Sequence, residues 1–547
     1  MNAPRAPRLR TIRALVLLLA SLAGRTVLAA SEIPAARVLG RAAPAVVSAE
    51  PRSIAVTFSG PGRIFRFEKL PPRAPRLVIF DGAEGYELWT DAAGRLTLSG
   101  PARPGSHRID VLPPDQTRLL TYLPPAAYAR SRDRVWGTLV LLLAGSAALW
   151  IFRAKLPADE EAPGAVRRAA GPRRWMPVIA SLLLAVTAGS YAKRVWTSPA
   201  LPFPRKVKRD MELFRHSQFI LGWKQPGLRI MNDQRIYAFA GWLQAHGTRP
   251  DLANPEHPPL GKYLLGAAER IAHTPVAATF AAGLAALAGL ALLGRRILES
   301  WTLAFVATSI TAAGALLASY TINTYLEIFV LALAAWSLLA AARAAEKPLS
   351  PARVVLLDAI LGAGMALKWS FAVFGLAVVV TLVRSRRLRS AAAFAAGAPL
   401  AFAAYGLAYA RSFTQGLSPT AFLVFQRGIA RRWTLVNASA KPSTWGLWRI
   451  LFTGIPDYSP HRVPEWSLLW PAAAVLGIAG AILAFRRRDP AGTACGIWFL
   501  GQMLFFTAAP SWERYLVPVL PFAVILAVSA IARLPVFRRS IAVAEAI

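Results

Sequence analysis

Apolar residues run along this chain in stretches close to the ~20 residues that cross the hydrocarbon core of a bilayer as a helix. They fall near 14–30, 136–152, 176–193, 275–293, 301–319, 324–342, 353–367, 369–383, 390–408, 467–485, 493–510 and 516–532. If the N-terminus is cytoplasmic, every second connection should be rich in Lys and Arg. Arg5, Arg8, Arg10 and Arg13 precede the first run, and Arg153, Lys155, Arg167, Arg168, Arg173 and Arg174 separate the second from the third. Arg295 and Arg296, then Arg343, Lys347 and Arg353, then Arg384, Arg386, Arg387 and Arg389 follow the same rule. So do Arg486 to Arg488 and the closing set Arg533, Arg538 and Arg539. The pair at 353–383 reads as two short helices or one broken one, since neither half reaches full spanning length. Residues 1–30, with a basic start followed by LVLLLASLAG and VLAAS, read as a signal peptide cleaved after Ala29 or as an uncleaved anchor. Both give the same topology.

Residues 31–133 differ in texture. Pro and Gly punctuate short alternating segments such as SIAVTF, RLVIF, YELWT and RLTLSG, the pattern of half-buried strands. They predict a small β-sandwich-like domain outside the cytoplasm, with a transmembrane helix and basic cytoplasmic linker over 134–175 and an all-α bundle of about 10 helices over 176–547. Composition agrees with a polytopic membrane protein: 55% of the 547 residues are hydrophobic, 17% are charged, and mean hydropathy is +0.41. The formal net charge of +35 does not point to nucleic acid, because its Lys and Arg cluster beside apolar runs and face anionic lipid. The one cysteine, Cys495, can form no internal disulfide.

Two long connections, 194–274 and 409–466, fall outside in this topology and are rich in polar, aromatic and proline residues. Helical spacing over Arg235 to His246 puts Ile236, Ala240, Trp242 and Leu243 in one apolar set, which predicts a short membrane-surface helix. Asp233 stands at its N-terminal end, as a helix cap or as a reactive carboxylate. His257, Pro258 and Pro259 then lead into a second helix at Gly261 and Lys262. That arrangement presents a lysine and free backbone amides, which suit a phosphate, or else forms an interfacial turn with a snorkelling lysine.

The sequence HPPLGKYLLG, about 25 residues after Asp233-x-x-x-Tyr237, resembles the first extracytoplasmic loop of the protein O-mannosyltransferase family and its GT-C superfamily relatives. LGAGMALKWSFAVFGL, from Leu361 to Leu376, resembles that family's Gly-x-x-x-x-x-Lys-Trp helix pair. FLVFQRGIARRWTLVNASAKPSTWGLW, from Phe422 to Trp448, is similar to its later luminal loop, and ERYLVPVLPF to its final helix entry. These stretches lie in the family's order across about 176–532. The chain departs from the family at two places. Gln234 stands where the pattern has Glu, and no histidine lies around Arg431, Arg432 and Trp433.

The resemblance implies a GT-C-like bundle that transfers a sugar, mannose or another hexose, from a polyprenyl-phosphate carrier to an acceptor hydroxyl with inversion. The active face is then extracytoplasmic, and the acceptor is a protein, a lipid or a glycan; the Arg-rich, Ala-rich composition of the chain points to a bacterial inner membrane. Such a reaction needs a base for the hydroxyl proton and cations for the departing phosphate. Asp233 is the candidate base. Lys368, Arg514, Lys262 and Arg432 are candidates for the donor phosphate, and His257, Tyr237 and Gln234 for positioning substrate. Lys368 stands between apolar runs, where a lysine needs water, a partner or a ligand. Glu327 and Asp358 are ionisable groups in or near membrane segments and are given no role. No His and acid spacing of the H-E-x-x-H kind requires a metal, and no cofactor is required. Asn437-Ala438-Ser439 matches a glycosylation sequon, a short pattern with meaning only in a eukaryotic secretory lumen. A transporter or flippase of lipid-linked molecules, a transferase acting on lipid or envelope glycan, and an inactive relative are the competing readings.

Overall fold

The computed structural model describes eight strands between residues 36 and 112 with a few flanking positions, and residues 231–534 apart from 252–253, 415–416, 440–444, 458 and 508–511. The apolar runs at 14–30, 136–152 and 176–193, the signal segment and the basic linker lie outside the described residues.

The strands pair antiparallel throughout. β1 (Ala36–Leu39), β4 (Ile64–Phe67) and β7 (Leu96–Ser99) form one sheet in the order β1-β4-β7. In it Phe67 faces Leu96 across the ladder, and both are buried, an apolar cross-strand pair of the kind that stabilises a sheet. β2 (Val46–Glu50), β3 (Ser53–Phe58), β5 (Pro75–Phe80), β6 (Glu84–Trp89) and β8 (Gly105–Leu112) form the other, ordered β2-β3-β8-β5-β6.

Every apolar run from 275 onward is helical. α1 (Asp233–Ala245) and α2 (Leu260–Ala272) precede α3 (Val276–Leu298). α4 (Trp301–Ala313) and α5 (Ala315–Thr321) are one run bent by 67° at Gly314. α6 (Glu327–Ala344) and α7 (Pro351–Leu367) follow, then a 3-10 turn at Trp369–Ala372, α8 (Val373–Arg384), and the bent pair α9 (Leu388–Ala396) and α10 (Ala398–Leu407). α11 (Ala410–Thr414), α12 (Pro419–Ser439), α13 (Gly446–Thr453), α14 (Leu469–Arg486), α15 (Pro490–Thr507), a 3-10 turn at Glu513–Leu516 and α16 (Leu520–Ala532) complete the order. Among the described residues, α3, α6 and α14 are long and apolar enough to cross a membrane, and five spans result if each bent pair counts as one. The protein is a multi-pass membrane protein.

The 353–383 run is a broken helix. Lys368 ends α7 in an extended conformation (φ −160°, ψ 136°), its N–H donating to the Gly364 carbonyl at 2.9 Å. A Cβ on Gly364 would lie 2.0 Å from the Phe371 ring, so the missing side chain lets the 3-10 turn fold back beside α7. The break leaves Lys368 at a helix end with its side chain free to leave the apolar stack.

The expected membrane-surface helix is instead a buried one. Ile236 through Gly241 are all buried, while Trp242, assigned to the apolar face, is half-buried. The reason is backbone proximity to α2. A Cβ on Gly266 would meet the Gly241 carbonyl oxygen at 2.1 Å, and one on Gly241 would meet the Lys262 carbonyl oxygen at 2.5 Å. Two glycines therefore let the helices touch main chain to main chain, as small residues do at membrane helix contacts.

Candidate active site

Four segments far apart in sequence converge at one end of α6. Asn232, not Asp233, caps α1: its side chain accepts the Arg235 N–H at 3.0 Å. Asp233 is thereby released from capping and occupies the first turn, where the helix dipole favours an anion. Its carboxylate forms an ion pair with Nη1 of Arg514. The Nε edge of the same guanidinium lies 3.3 Å from Oε1 of Glu327, in the first turn of α6. That oxygen also pairs with Nζ of Lys368. Two acids and two bases thus form a chain, Asp233–Arg514–Glu327–Lys368, with no net charge.

The chain has a closed end and an open end. The Glu327 side chain is 0% exposed and that of Lys368 9%, whereas 25% of the Asp233 side chain reaches solvent. Glu327 keeps one oxygen, Oε2, without a hydrogen-bond partner, so two cations crowd the other. Buried charge is tolerated only when paired, and here each cation has a carboxylate.

Aromatic rings wall the cluster. Lys368 Nζ lies 4.5 Å from the centre of the Tyr515 ring, and the Arg514 guanidinium lies 4.8 Å from Trp512, 5.5 Å from Tyr515 and 6.0 Å from Tyr325, within the range of cation–π attraction. Phe506 stacks on Tyr515 with centroids 4.3 Å apart. The Tyr320 hydroxyl donates to Glu513 Oε1 at 3.3 Å. These rings border Arg514 on the side of the 3-10 turn.

Gln234 links α1 to the approach to α6. Its carbonyl accepts the Thr324 hydroxyl at 2.7 Å. Tyr237, one turn after Asp233, is buried and meets the His257 ring edge-on at 5.4 Å. Burial, and then the Asp233 charge, raise the Tyr237 hydroxyl well above its ordinary pKa, so it stays a neutral donor. His257 is pushed well below the ordinary imidazole value by desolvation, then by the positive charges of Lys368, Lys262 and Arg514. Its ring is neutral at pH 7.

Lys262 is fully buried rather than presented at a surface. Its Nζ donates to the Asn254 and His257 carbonyls, at 2.5 and 2.7 Å. It ties down the HPPLGK loop from below. Arg432 lies in α12, in a stretch whose side chains are outside the described ones. The structure therefore brings Asp233, Arg514 and Lys368 into one ion-pair chain, sets Gln234, Tyr237 and His257 beside it, and seats Lys262 under the loop.

The joint of the cluster, Glu327, carried no role on sequence grounds. The available signal was an acid opening an apolar helix, preceded by Tyr320, Thr324 and Tyr325 and matched by the Trp512–Tyr515 segment. Only proximity in three dimensions shows that these two segments meet.

No family model matches the chain, and no curated protein matches it. Among solved structures it is similar to the archaeal oligosaccharyltransferase AglB from Archaeoglobus fulgidus in complex with an inhibitory peptide and a dolichol-phosphate, at 13% identity over 68% of this chain and 52% of that one, with a TM-score of 0.39. It is also similar to ArnT from Cupriavidus metallidurans in the apo state, at 19% identity over 57% of each chain, with a TM-score of 0.34. The chain spans little more than half the length of these structures. Likeness at this level assigns neither family nor activity.

Proposed function

We propose that this protein is a membrane glycosyltransferase of GT-C type. It moves a sugar, mannose or another hexose, from a polyprenyl-phosphate carrier to an acceptor hydroxyl with inversion. The observation that carries this reading is a partly exposed carboxylate, Asp233, in the same buried ion-pair chain as two cations, Arg514 and Lys368. Base and phosphate-holding groups are what a lipid-phosphate donor needs together. The acceptor O–H gives its proton to Asp233 as its oxygen bonds to the anomeric carbon. The bond from that carbon to the phosphate oxygen breaks, and its electron pair leaves on the phosphate beside Lys368 and Arg514.

His257, Tyr237 and Gln234 line the approach and position substrate, with neutral His257 and the Tyr237 hydroxyl as hydrogen-bonding groups. Arg432 is a further candidate contact for the donor. Lys262 acts on the donor by holding the His257 loop. The donor is the only other reactant required, and the acceptor is a protein, a lipid or an envelope glycan. The active face is extracytoplasmic in a bacterial inner membrane, with the strands of 31–133 forming a β-domain on that side.

The test is transfer from a panel of radiolabelled polyprenyl-phosphate sugars in membranes carrying wild type or Asp233→Asn. Wild type should transfer one of them, and the substitution should lower the rate by about 10²–10⁴, the usual contribution of a positioned base, with protein abundance unchanged. Equal transfer by Asp233→Asn would remove Asp233 as base. Absence of transfer with every donor would turn the reading to transport of a lipid-linked molecule.

A further inference from the structure

One guanidinium serves two carboxylates that differ in exposure. Glu327, with a side chain 0% exposed, faces the Nε edge of Arg514 at 3.3 Å and also holds Lys368. Asp233, 25% exposed, pairs with Nη1 at the solvent-facing end. A partner that is partly hydrated exchanges more easily than a fully buried one, because the freed charge is taken up by water instead of being left bare. The Asp233 end is therefore the one that can let go.

We propose that Arg514 is a switching cation that pairs with Asp233 before transfer and turns to the leaving phosphate once Asp233 has taken the acceptor proton. Glu327 is then the positioning residue that retains the guanidinium in both states. This rests on the transferase reading above.

The charge balance follows from the step itself. Before transfer the two acids and two bases sum to zero, and the donor phosphodiester carries one negative charge. As the proton passes to Asp233 its carboxylate is neutralised, and the four groups sum to one positive charge. The carbon–oxygen bond to phosphate breaks in the same step, and the phosphate becomes a dianion. The charge released at Arg514 equals the charge that appears on the leaving group. Trp512, Tyr515 and Tyr325 surround the guanidinium at 4.8 to 6.0 Å, so it can pivot while keeping its ring contacts. One residue thus couples proton uptake to departure of the lipid phosphate, and an electrostatic interaction stronger in the transition state than in the ground state is what accelerates a reaction.

The switch predicts that abolishing the Asp233 charge strengthens product binding. Binding of a short-chain prenyl phosphate to the full chain in lipid nanodiscs is read by tryptophan fluorescence, with Trp512 as the nearby reporter. Asp233→Asn should bind about tenfold tighter than wild type, and Asp233→Asn/Arg514→Gln should lose that gain. Asp233→Ala, which deletes the same charge, provides the second variant if the asparagine protein does not fold. A merely structural ion pair predicts equal or weaker binding in the single variants. That result, with wild type still transferring sugar, overturns the switch and leaves the transferase reading standing. A gain that survives in the double variant also overturns it, because the effect is then loss of repulsion and not release of Arg514. Absence of prenyl phosphate binding in every form removes the transferase reading, and the switch with it.

Discussion

The two ends of α6, about 27 Å apart at the usual helical rise, use charge in opposite ways. At its N-terminus Glu327 collects two buried cations from other segments, and a partly exposed carboxylate completes the chain. At its C-terminus the charged groups close off a helix end. Arg387 is buried, and its Nη2 donates to the Glu346 carbonyl at 2.9 Å and its Nε to the Ala345 carbonyl at 3.4 Å. These are backbone acceptors at a helix end, where a cation also suits the dipole. Glu346 pairs with Arg296 where both side chains are more than 40% exposed. One end joins ionised side chains in a buried, unequal cluster, while at the other the buried cation meets backbone carbonyls and the side-chain ion pair is exposed to solvent. Under the proposed transfer reaction the first arrangement supplies the reacting groups, because its charges are held by partners that a ligand can replace.

That contrast breaks most visibly at Lys368. Replacement by Met retains the stem and removes the cation, and sugar transfer should fall on the order of 10²-fold, as when one preorganised charge-stabilising donor is deleted. The same assay on Arg387→Met should show transfer per folded molecule close to wild type. Its cost belongs to stability instead, about 2–3 kcal/mol from lost charged hydrogen bonds, read as a lower thermal unfolding midpoint in detergent. If Arg387→Met abolished transfer while leaving stability intact, the division between the two ends would be wrong.

His257 gives a smaller effect with a defined sign. Its pKa is lowered in the folded protein, so the unfolded chain binds the extra proton first as pH falls. Stability is full above the unfolded value of about 6.5 and declines below it until the folded value is reached, with a slope of at most about 1.4 kcal/mol per pH unit. His257→Gln should flatten that part of the profile and leave stability at pH 8 nearly unchanged. An unchanged acid slope would mean that His257 is protonated in the folded state. The smallest effect is expected for Arg296→Ala, whose exposed pair with Glu346 contributes within about 1 kcal/mol, and a measured loss of several kcal/mol would show that this end is not a solvated rim.

The closely packed end of α1 sharpens the distinction between structural and reactive ion pairs. Arg249 grips Asp251 through two hydrogen bonds, Nε to Oδ1 at 3.1 Å and Nη2 to Oδ2 at 2.8 Å, and the Ser412 hydroxyl donates to Oδ1 as well. Both carboxylate oxygens are taken, by residues two apart and by α11. Glu327, with one oxygen doubly claimed and the other unpartnered, has the opposite state. A saturated pair holds a loop, and an unsaturated one leaves its cations able to take a second anion.

Sequence by itself located the apolar runs that are helical from 275 onward, and it left 353–383 as two short helices or one broken one. Apolar run lengths are a local signal, and helix propagation and termination are local events. Lys368 stood out because a charge between apolar runs is costly unless used, whereas the roles of Asp233 and Arg514 came from the resemblance to the protein O-mannosyltransferase family. Tertiary structure alone decided that α1 is buried rather than lying at a surface, since two glycines in different helices set that contact. It alone turned Lys262 inward to the loop carbonyls and made Glu327 the joint of the cluster. Residues 233, 327, 368 and 514 are separated by some 280 positions (514 − 233 = 281), and no periodicity records which helix ends meet. Packing of the bundle fixes those neighbours, and with them the unequal burial of two carboxylates that share one arginine.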